Sequence, residues 1–234
     1  MTLAMQPQTN HSYFDLPRLM SLMTGDEKHS SAATSTLDVI WTLYNRVLDV
    51  DPGRTTDPLR DRFLLSKGHG PMAYYAVLAA KGFVPAATLA TFAAYDSPLG
   101  HHPDATLIPG VEIGSGSLGH GMPLAVGLAL GLRAQSNPAR LFCLIGDGEL
   151  DEGSNHEAIA IAARRHLDTL TTIVIDNQSA SQGWPGGIQS RFAVEGWATT
   201  RVNGRDHDDI ARALQLPHEG RPLAVVAQTE SRGT

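Results

Sequence analysis

Two apolar runs decide how this chain is read. Arg140-Leu141-Phe142-Cys143-Leu144-Ile145 breaks into Gly146-Asp147-Gly148, and Leu170-Thr171-Thr172-Ile173-Val174-Ile175 breaks into Asp176-Asn177-Gln178-Ser179. Short apolar runs that end in turn residues are predicted to be strands buried on both faces. Between them, Ser154 to His166 carries alanine and isoleucine on one helical face. Strand, helix and strand in that order make a βαβ unit, whose neighbouring strands run parallel about 4.8 Å apart.

The same alternation continues downstream. Thr199 to Val202 is predicted as a third strand, Asp208 to Leu214 as a helix, and Pro222 to Gln228 as a fourth strand. The predicted fold class is therefore α/β, a parallel β-sheet flanked by helices on both faces. Upstream, a helical pattern begins at Ser35 with Leu37, Ile40, Trp41, Tyr44 and Val47–Leu48, and Asp51-Pro52-Gly53 closes it. Ser66-Lys67-Gly68-His69-Gly70-Pro71 reads as a loop leading into a helix over Met72 to Ala80. Tyr95 to Gly121 holds no sustained period, and a loop of that length inside a compact domain often serves function. The helix that follows, Met122 to Gln135, is apolar nearly all round and is expected to be buried. Residues 1–17 are expected to form a loosely held tail and 18–234 a single domain.

Composition narrows the classes. With 42% hydrophobic and 18% charged residues, the 234-residue chain is neither disordered, collagenous nor a coiled coil. One cysteine, Cys143, excludes an internal disulfide framework and a cysteine-rich zinc site. It sits in an apolar run, so it is expected to be buried and reduced and the protein cytoplasmic. A formal charge of −6 without a Lys/Arg stripe leaves little for nucleic acid to bind. No leader pattern is evident at the N-terminus, and the most apolar stretch, Leu124 to Leu132, is too short to span a bilayer.

Ligands of open parallel sheets sit beyond the carboxyl ends of the strands. Adjacent strands would put the Asp147 carboxylate and the Asn177 amide oxygen on one rim. Mg²⁺ takes hard oxygen ligands at about 2.0–2.1 Å and commonly completes its octahedron with phosphates and water. Gly146 and Gly148 would permit a tight turn and close backbone approach to a phosphate. Asp and Asn after strands are also ordinary turn and capping residues, so either motif alone leaves both readings open. A nucleotide-binding alternative would need a Walker-type glycine-rich loop ending in Lys-Ser/Thr, and the chain has none.

Gly146-Asp147-Gly148 followed by Asn177 resembles the thiamine diphosphate signature, and the rest of the chain is similar to transketolase over about residues 20 to 230. Asp61-Arg62-Phe63-Leu64-Leu65-Ser66-Lys67-Gly68-His69-Gly70 resembles the family's early cofactor loop. Pro109-Gly110-Val111-Glu112 and Gly116-Ser117-Leu118-Gly119-His120-Gly121 resemble its second. Glu152-Gly153 with Glu157-Ala158, Gly196-Trp197 and Asn203-Gly204-Arg205-Asp206 continue the match.

The resemblance implies the diphosphate-type thiamine-diphosphate-binding fold, with Mg²⁺ (or Ca²⁺ or Mn²⁺ in its place) as the companion ion. It implies that Asp147, Asn177 and the backbone carbonyl of Ser179 hold that ion. It also implies cofactor contacts from His69, Gly146 and Gly148 at the diphosphate and from Gly116 and Leu118 at the aminopyrimidine. His29, His69 and His102 become substrate contacts, and Glu157 part of a proton network at a subunit interface. In Gly100-His101-His102-Pro103-Asp104 the family's His-Pro-acid order selects His102, with His101 as competitor. The family's Pro-Gly-Gly after the first histidine is Ser30-Ser31-Ala32 here, a departure that bears on His29. Histidine suits such positions because it polarises a carbonyl or moves a proton near neutral pH.

Whole transketolases continue for several hundred residues past this type of domain. The resemblance therefore implies an N-terminal subunit of a split enzyme, active only with a partner chain that carries the pyrimidine-binding domain, and a heterotetramer with two sites. The implied reaction moves a two-carbon ketol unit from a sugar-phosphate ketose to an acceptor. One variant passes that unit to an acyl carrier protein, and another reading is a 2-oxo-acid dehydrogenase or decarboxylase subunit. The Ser66–Gly70 and Gly116–Gly121 loops argue against the last. A cofactor-binding scaffold without turnover is the non-enzymatic alternative.

Overall fold

A computed structural model describes residues 11–24, 30–68, 71–180 and 183–229. Five parallel strands form one sheet: β1 Arg62–Leu65, β2 Leu141–Gly146, β3 Leu170–Asp176, β4 Ala198–Asn203 and β5 Leu223–Gln228, in the spatial order β1-β2-β3-β5-β4. The helices are α1 Leu16–Ser21, α2 Ser30–Thr42, α3 Met72–Ala80, α4 Gly121–Ala134, α5 Gly153–Arg164, α6 Ile188–Ala193 and α7 His207–Ala213. The α/β class that the sequence pattern predicts is the observed one.

The alternation of side chains along each strand divides the core in two. Phe63, Phe142, Leu144, Ile173, Ile175, Leu223 and Val225 face one way and pack with residues of α1, α2, α3 and α7. Leu64, Cys143, Ile145, Val174 and Ala224 face the other way, onto α4, α5 and Phe192 of α6. Strands covered on both faces need no polar side, which is why β2 is apolar along its length and β3 interrupts its apolar run only with the buried Thr171 and Thr172 before Asp176.

Several boundaries and one element differ from the sequence reading. Strand β1 lies inside the Asp61–Gly70 stretch, which the sequence presents only as a cofactor loop. Four residues beginning with arginine carry no readable period, and pairing with β2 (Leu64 opposite Cys143) makes the strand. Residues 11–17 do not belong to a loose tail: Tyr13–Asp15 forms a 3-10 turn, and Leu16 and Leu19 of α1 are buried in the core. The Tyr13 hydroxyl holds this segment down by donating to the Asp38 carboxylate at 2.6 Å.

Helix α4 is not buried all round. Its Leu124 is 51% exposed, and a Cβ at Gly127 or Gly131 would meet nothing within 4 Å. One apolar face of α4 therefore points out of the domain. Between Phe92 and His120 the described chain forms neither helix nor strand, as the lack of period predicts.

Candidate cofactor and metal site

In β2 and β3 Gly146 pairs with Ile175, so both strands run one residue beyond their predicted ends and release their chains side by side. The Asp147 amide still donates to the Ile175 carbonyl at 3.0 Å, which fixes Asp147 at the rim. Its side chain is only 1% exposed. Oδ1 accepts from the Gly148 amide at 2.8 Å and the Ser179 hydroxyl at 2.5 Å, and Oδ2 accepts from the Ser179 amide at 2.9 Å. Gln178, with φ of 60°, turns the chain so that Ser179 doubles back onto Asp147. Sequence reasoning assigns Ser179 only a carbonyl, yet its hydroxyl and amide both serve the carboxylate.

Beside this carboxylate, the Asn177 Oδ1 is buried and accepts no hydrogen bond among the described residues. A buried acceptor without a donor costs about 1–3 kcal/mol, so its natural complement is a cation. One carboxylate, one amide oxygen and nearby backbone carbonyls are the hard donors Mg²⁺ prefers. Among the described residues no group of three or more His, Cys, Asp or Glu side chains could hold a metal. The implied site is of another kind, with one acidic ligand and ligand positions left for phosphate and water, and the residues fit it. A cavity of about 520 Å³ opens beside it, lined in part by Asp147, Asp176, Gln178, Trp184 and Arg201. That is the size of a small-molecule pocket.

The two glycine loops meet next to this rim. A Cβ on Gly68 would stand 2.7 Å from the Gly116 amide nitrogen and 3.0 Å from His102 Nδ1. Gly116 has φ of +126°, and a Cβ there would press on the His102 ring at 3.0 Å. Both positions therefore need glycine. His102 Nδ1 lies 2.9 Å from the Gly68 carbonyl. A carbonyl only accepts, so Nδ1 carries the proton and Nε2 is the acceptor of the neutral ring. His101 takes another course, edge-on to Phe92 at 5.6 Å. Of the two histidines, His102 is the one packed between the loops. Leu118 is 37% exposed at the same loop.

Sequence reasoning does not single out Glu149. It is 3% exposed, and its Oε1 accepts from the Ser66 hydroxyl and from the Gly119 amide at 3.0 Å. Its Oε2 accepts from the Gly146 amide at 3.3 Å. Burial pushes its pKa up, against the pull of these donors and of Lys67. Lys67 is buried too, its stem lying 3.4 Å from where a Gly146 Cβ would stand. Burial lowers the pKa of its ammonium, and the charges of Asp147 and Glu149 oppose that shift. A carboxylate immediately after Gly-Asp-Gly is the one sequence signal for Glu149.

Glu157 is exposed on α5 and makes no hydrogen bond or ion pair among the described residues. His29 and His69 lie outside the described residues.

Residues 19–229 match the family described as transketolase, thiamine diphosphate binding domain. This chain belongs to that family. It is 60% identical over 223 residues to a Rhodococcoides fascians protein named ferredoxin fas2, covering 95% of this chain and 73% of that one. An iron–sulfur cluster is held by about four cysteine thiolates, and this chain has Cys143 alone. The ferredoxin of that name has no counterpart in these residues. The chain is also 36% identical over 208 residues to a protein of Actinobacillus succinogenes named as one subunit of an apulose-4-phosphate transketolase, covering 86% of this chain and 75% of that one. The structure of transketolase from Campylobacter jejuni superposes with a TM-score of 0.78 at 25% identity. It covers 96% of this chain, which spans only 38% of that transketolase.

Proposed function

We propose that this chain is the metal- and diphosphate-holding subunit of a split transketolase. With a partner chain carrying the pyrimidine-binding domain, it transfers a two-carbon ketol unit from a ketose phosphate to an acceptor. The observation that carries the reading is the buried Asn177 Oδ1, without a donor among the described residues, beside the buried Asp147 carboxylate on adjacent strand ends. Similarity to a relative named as one subunit of a transketolase supports the split arrangement. So does the exposed apolar face of α4, because surfaces of that kind mark interaction sites.

Thiamine diphosphate, when bound, supplies the electron sink that ketol transfer requires. The protein's residues do the rest. Asp147, Asn177 and the Ser179 carbonyl hold Mg²⁺, while Gly146, Gly148 and His69 receive the diphosphate. Gly116 leaves room for the aminopyrimidine, and Leu118 supports it with an apolar wedge. His102, oriented by the Gly68 carbonyl, presents Nε2 as the atom that accepts a proton from a substrate hydroxyl and returns it. His29 makes a further substrate contact. Glu157, exposed on α5, is available to a proton network across the subunit boundary. No described helix is long and apolar enough to cross a membrane.

The test is a ketol-transfer assay on the chain mixed with the transketolase-like protein encoded beside it, in Mg²⁺ and thiamine diphosphate. Ketose phosphates are offered as donors, and aldose phosphates and an acyl carrier protein as acceptors. Release of an aldose phosphate that depends on both chains is the expected result. Its absence with every donor, despite cofactor binding, would leave a cofactor scaffold and overturn the reading.

A further inference from the structure

Three segments must keep register for one cofactor to lie across them: Ser66–Gly68 after β1, the Gly116–His120 loop before α4, and the turn Gly146–Gly148 at the end of β2. Each sends a donor to the same buried carboxylate. Ser66 donates its hydroxyl to Glu149 Oε1, the Gly119 amide joins it at 3.0 Å, and the Gly146 amide reaches Oε2 at 3.3 Å. The Ser66 hydroxyl in turn accepts from the Gly121 amide at 3.0 Å, satisfying one of the free N–H groups at the start of α4. Glu149 is itself fixed from behind, where the buried Asn155 side-chain amide donates to its backbone carbonyl at 2.6 Å.

These bonds join the two halves of the candidate site. From Ser66 the chain runs two residues to Gly68, whose carbonyl holds His102. From Gly119 it runs back to Leu118 and Gly116. Gly146 begins the turn that carries Asp147. We infer that Glu149 is a positioning residue: it registers the aminopyrimidine loop and the His102 loop against the metal-bearing turn. The inference rests on reading the site as one for Mg²⁺ and thiamine diphosphate. Every partner of the carboxylate is a donor, so an acceptor-only group is required. Glutamine keeps the shape but sets an NH₂ group against an N–H or O–H.

The test is calorimetric titration of thiamine diphosphate with Mg²⁺ into the chain together with its partner chain. Wild type is compared with Glu149→Gln, Ser66→Ala and the double variant. Hydrogen bonds to a charged group are strong enough that Glu149→Gln should weaken cofactor affinity about tenfold or more. Ser66→Ala should weaken it less, and the double variant should be no weaker than Glu149→Gln, because both act through one set of bonds. The circular-dichroism band of the bound cofactor at saturation should also change, which a mere loss of fold stability leaves unmoved. Wild-type affinity in a folded Glu149→Gln, or losses that simply add in the double variant, would overturn the inference while leaving the function standing. If Glu149→Gln does not fold, Ser66→Ala decides alone: unchanged affinity overturns the proposal. Failure of the wild-type pair to bind cofactor overturns the function as well.

Discussion

Ser179→Ala is predicted to have effects of opposite sign on the free protein and on metal binding. In the structure the Ser179 hydroxyl occupies Oδ1 of the buried Asp147 at 2.5 Å, while the Ser179 and Gly148 amides supply two further donors. A hydrogen bond to a charged group is worth about 1.5–3 kcal/mol net. Ser179 is exposed and its hydroxyl can turn to water, so about 1–1.5 kcal/mol is the sensible loss. For a chain of this size that lowers Tm by about 2–6 °C. A cation bound to Asp147 competes for the same lone pair. Removing the competitor returns the same energy to binding, roughly a five- to tenfold gain in Mg²⁺ affinity. The assay is a thermal melt of the free protein, followed by Mg²⁺ titration at saturating thiamine diphosphate in the presence of the partner chain. A Ser179→Ala variant that loses Mg²⁺ affinity as Asp147→Ala does would refute the reasoning, because the hydroxyl itself would then be a ligand.

Asp147→Ala should abolish the Mg²⁺-dependent rise in Tm, which for wild type at a hundred times Kd corresponds to about 2.7 kcal/mol; a melt with and without Mg²⁺ and cofactor checks it. His102→Ala should lower turnover more than cofactor affinity, and His101→Ala should do little to either; steady-state kinetics beside calorimetry separates them. Gly121→Ala would put a Cβ 2.2 Å from the Ser66 side chain and 2.9 Å from its Cα, so the helix start must shift. The expected cost is about 1–3 kcal/mol of stability, read from denaturant unfolding. His156 titrates below the ordinary 6.5, because burial and then the Arg191 charge disfavour its cation. Arg191 Nε also donates to its Nδ1 at 2.8 Å. Stability from the neutral ring is therefore complete above pH 6.5 and is lost as pH falls through the depressed value; an NMR titration of the ring should find that midpoint.

The runs of β2 and β3 are legible in the sequence because strands buried on both faces are apolar on both sides of the pleat, with only the β-branched Thr171 and Thr172 as polar members. Asp147 and Asn177 are legible because Asp147 closes one such run and Asn177 the other. The span Met72 to Ala80 can be read to the residue, since Pro71 and Lys81 bracket an apolar helix. Other features are set by partners distant in sequence. Strand β1 exists because Leu64 and Leu65 find Cys143 and Leu144. Glu149 matters because it meets Ser66, 83 residues away, and its place directly after Gly-Asp-Gly gives no hint of that partner. The apolar circumference of α4 reads the same whether the core or another chain covers it, so the pattern alone places Leu124 in the core. The Ser179 hydroxyl is hidden from such reading by a backbone turn at Gln178, a residue type with no particular preference for positive φ.

The most direct test of the central claim is calorimetric titration of thiamine diphosphate with Mg²⁺ into this chain alone and into its mixture with the transketolase-like chain encoded beside it. Tight, Mg²⁺-dependent binding in the mixture and weak binding by the lone chain is the result predicted. Equally tight binding by the lone chain would contradict the split site, and no binding in either would contradict the assignment of Asp147 and Asn177 to a cofactor-bound metal.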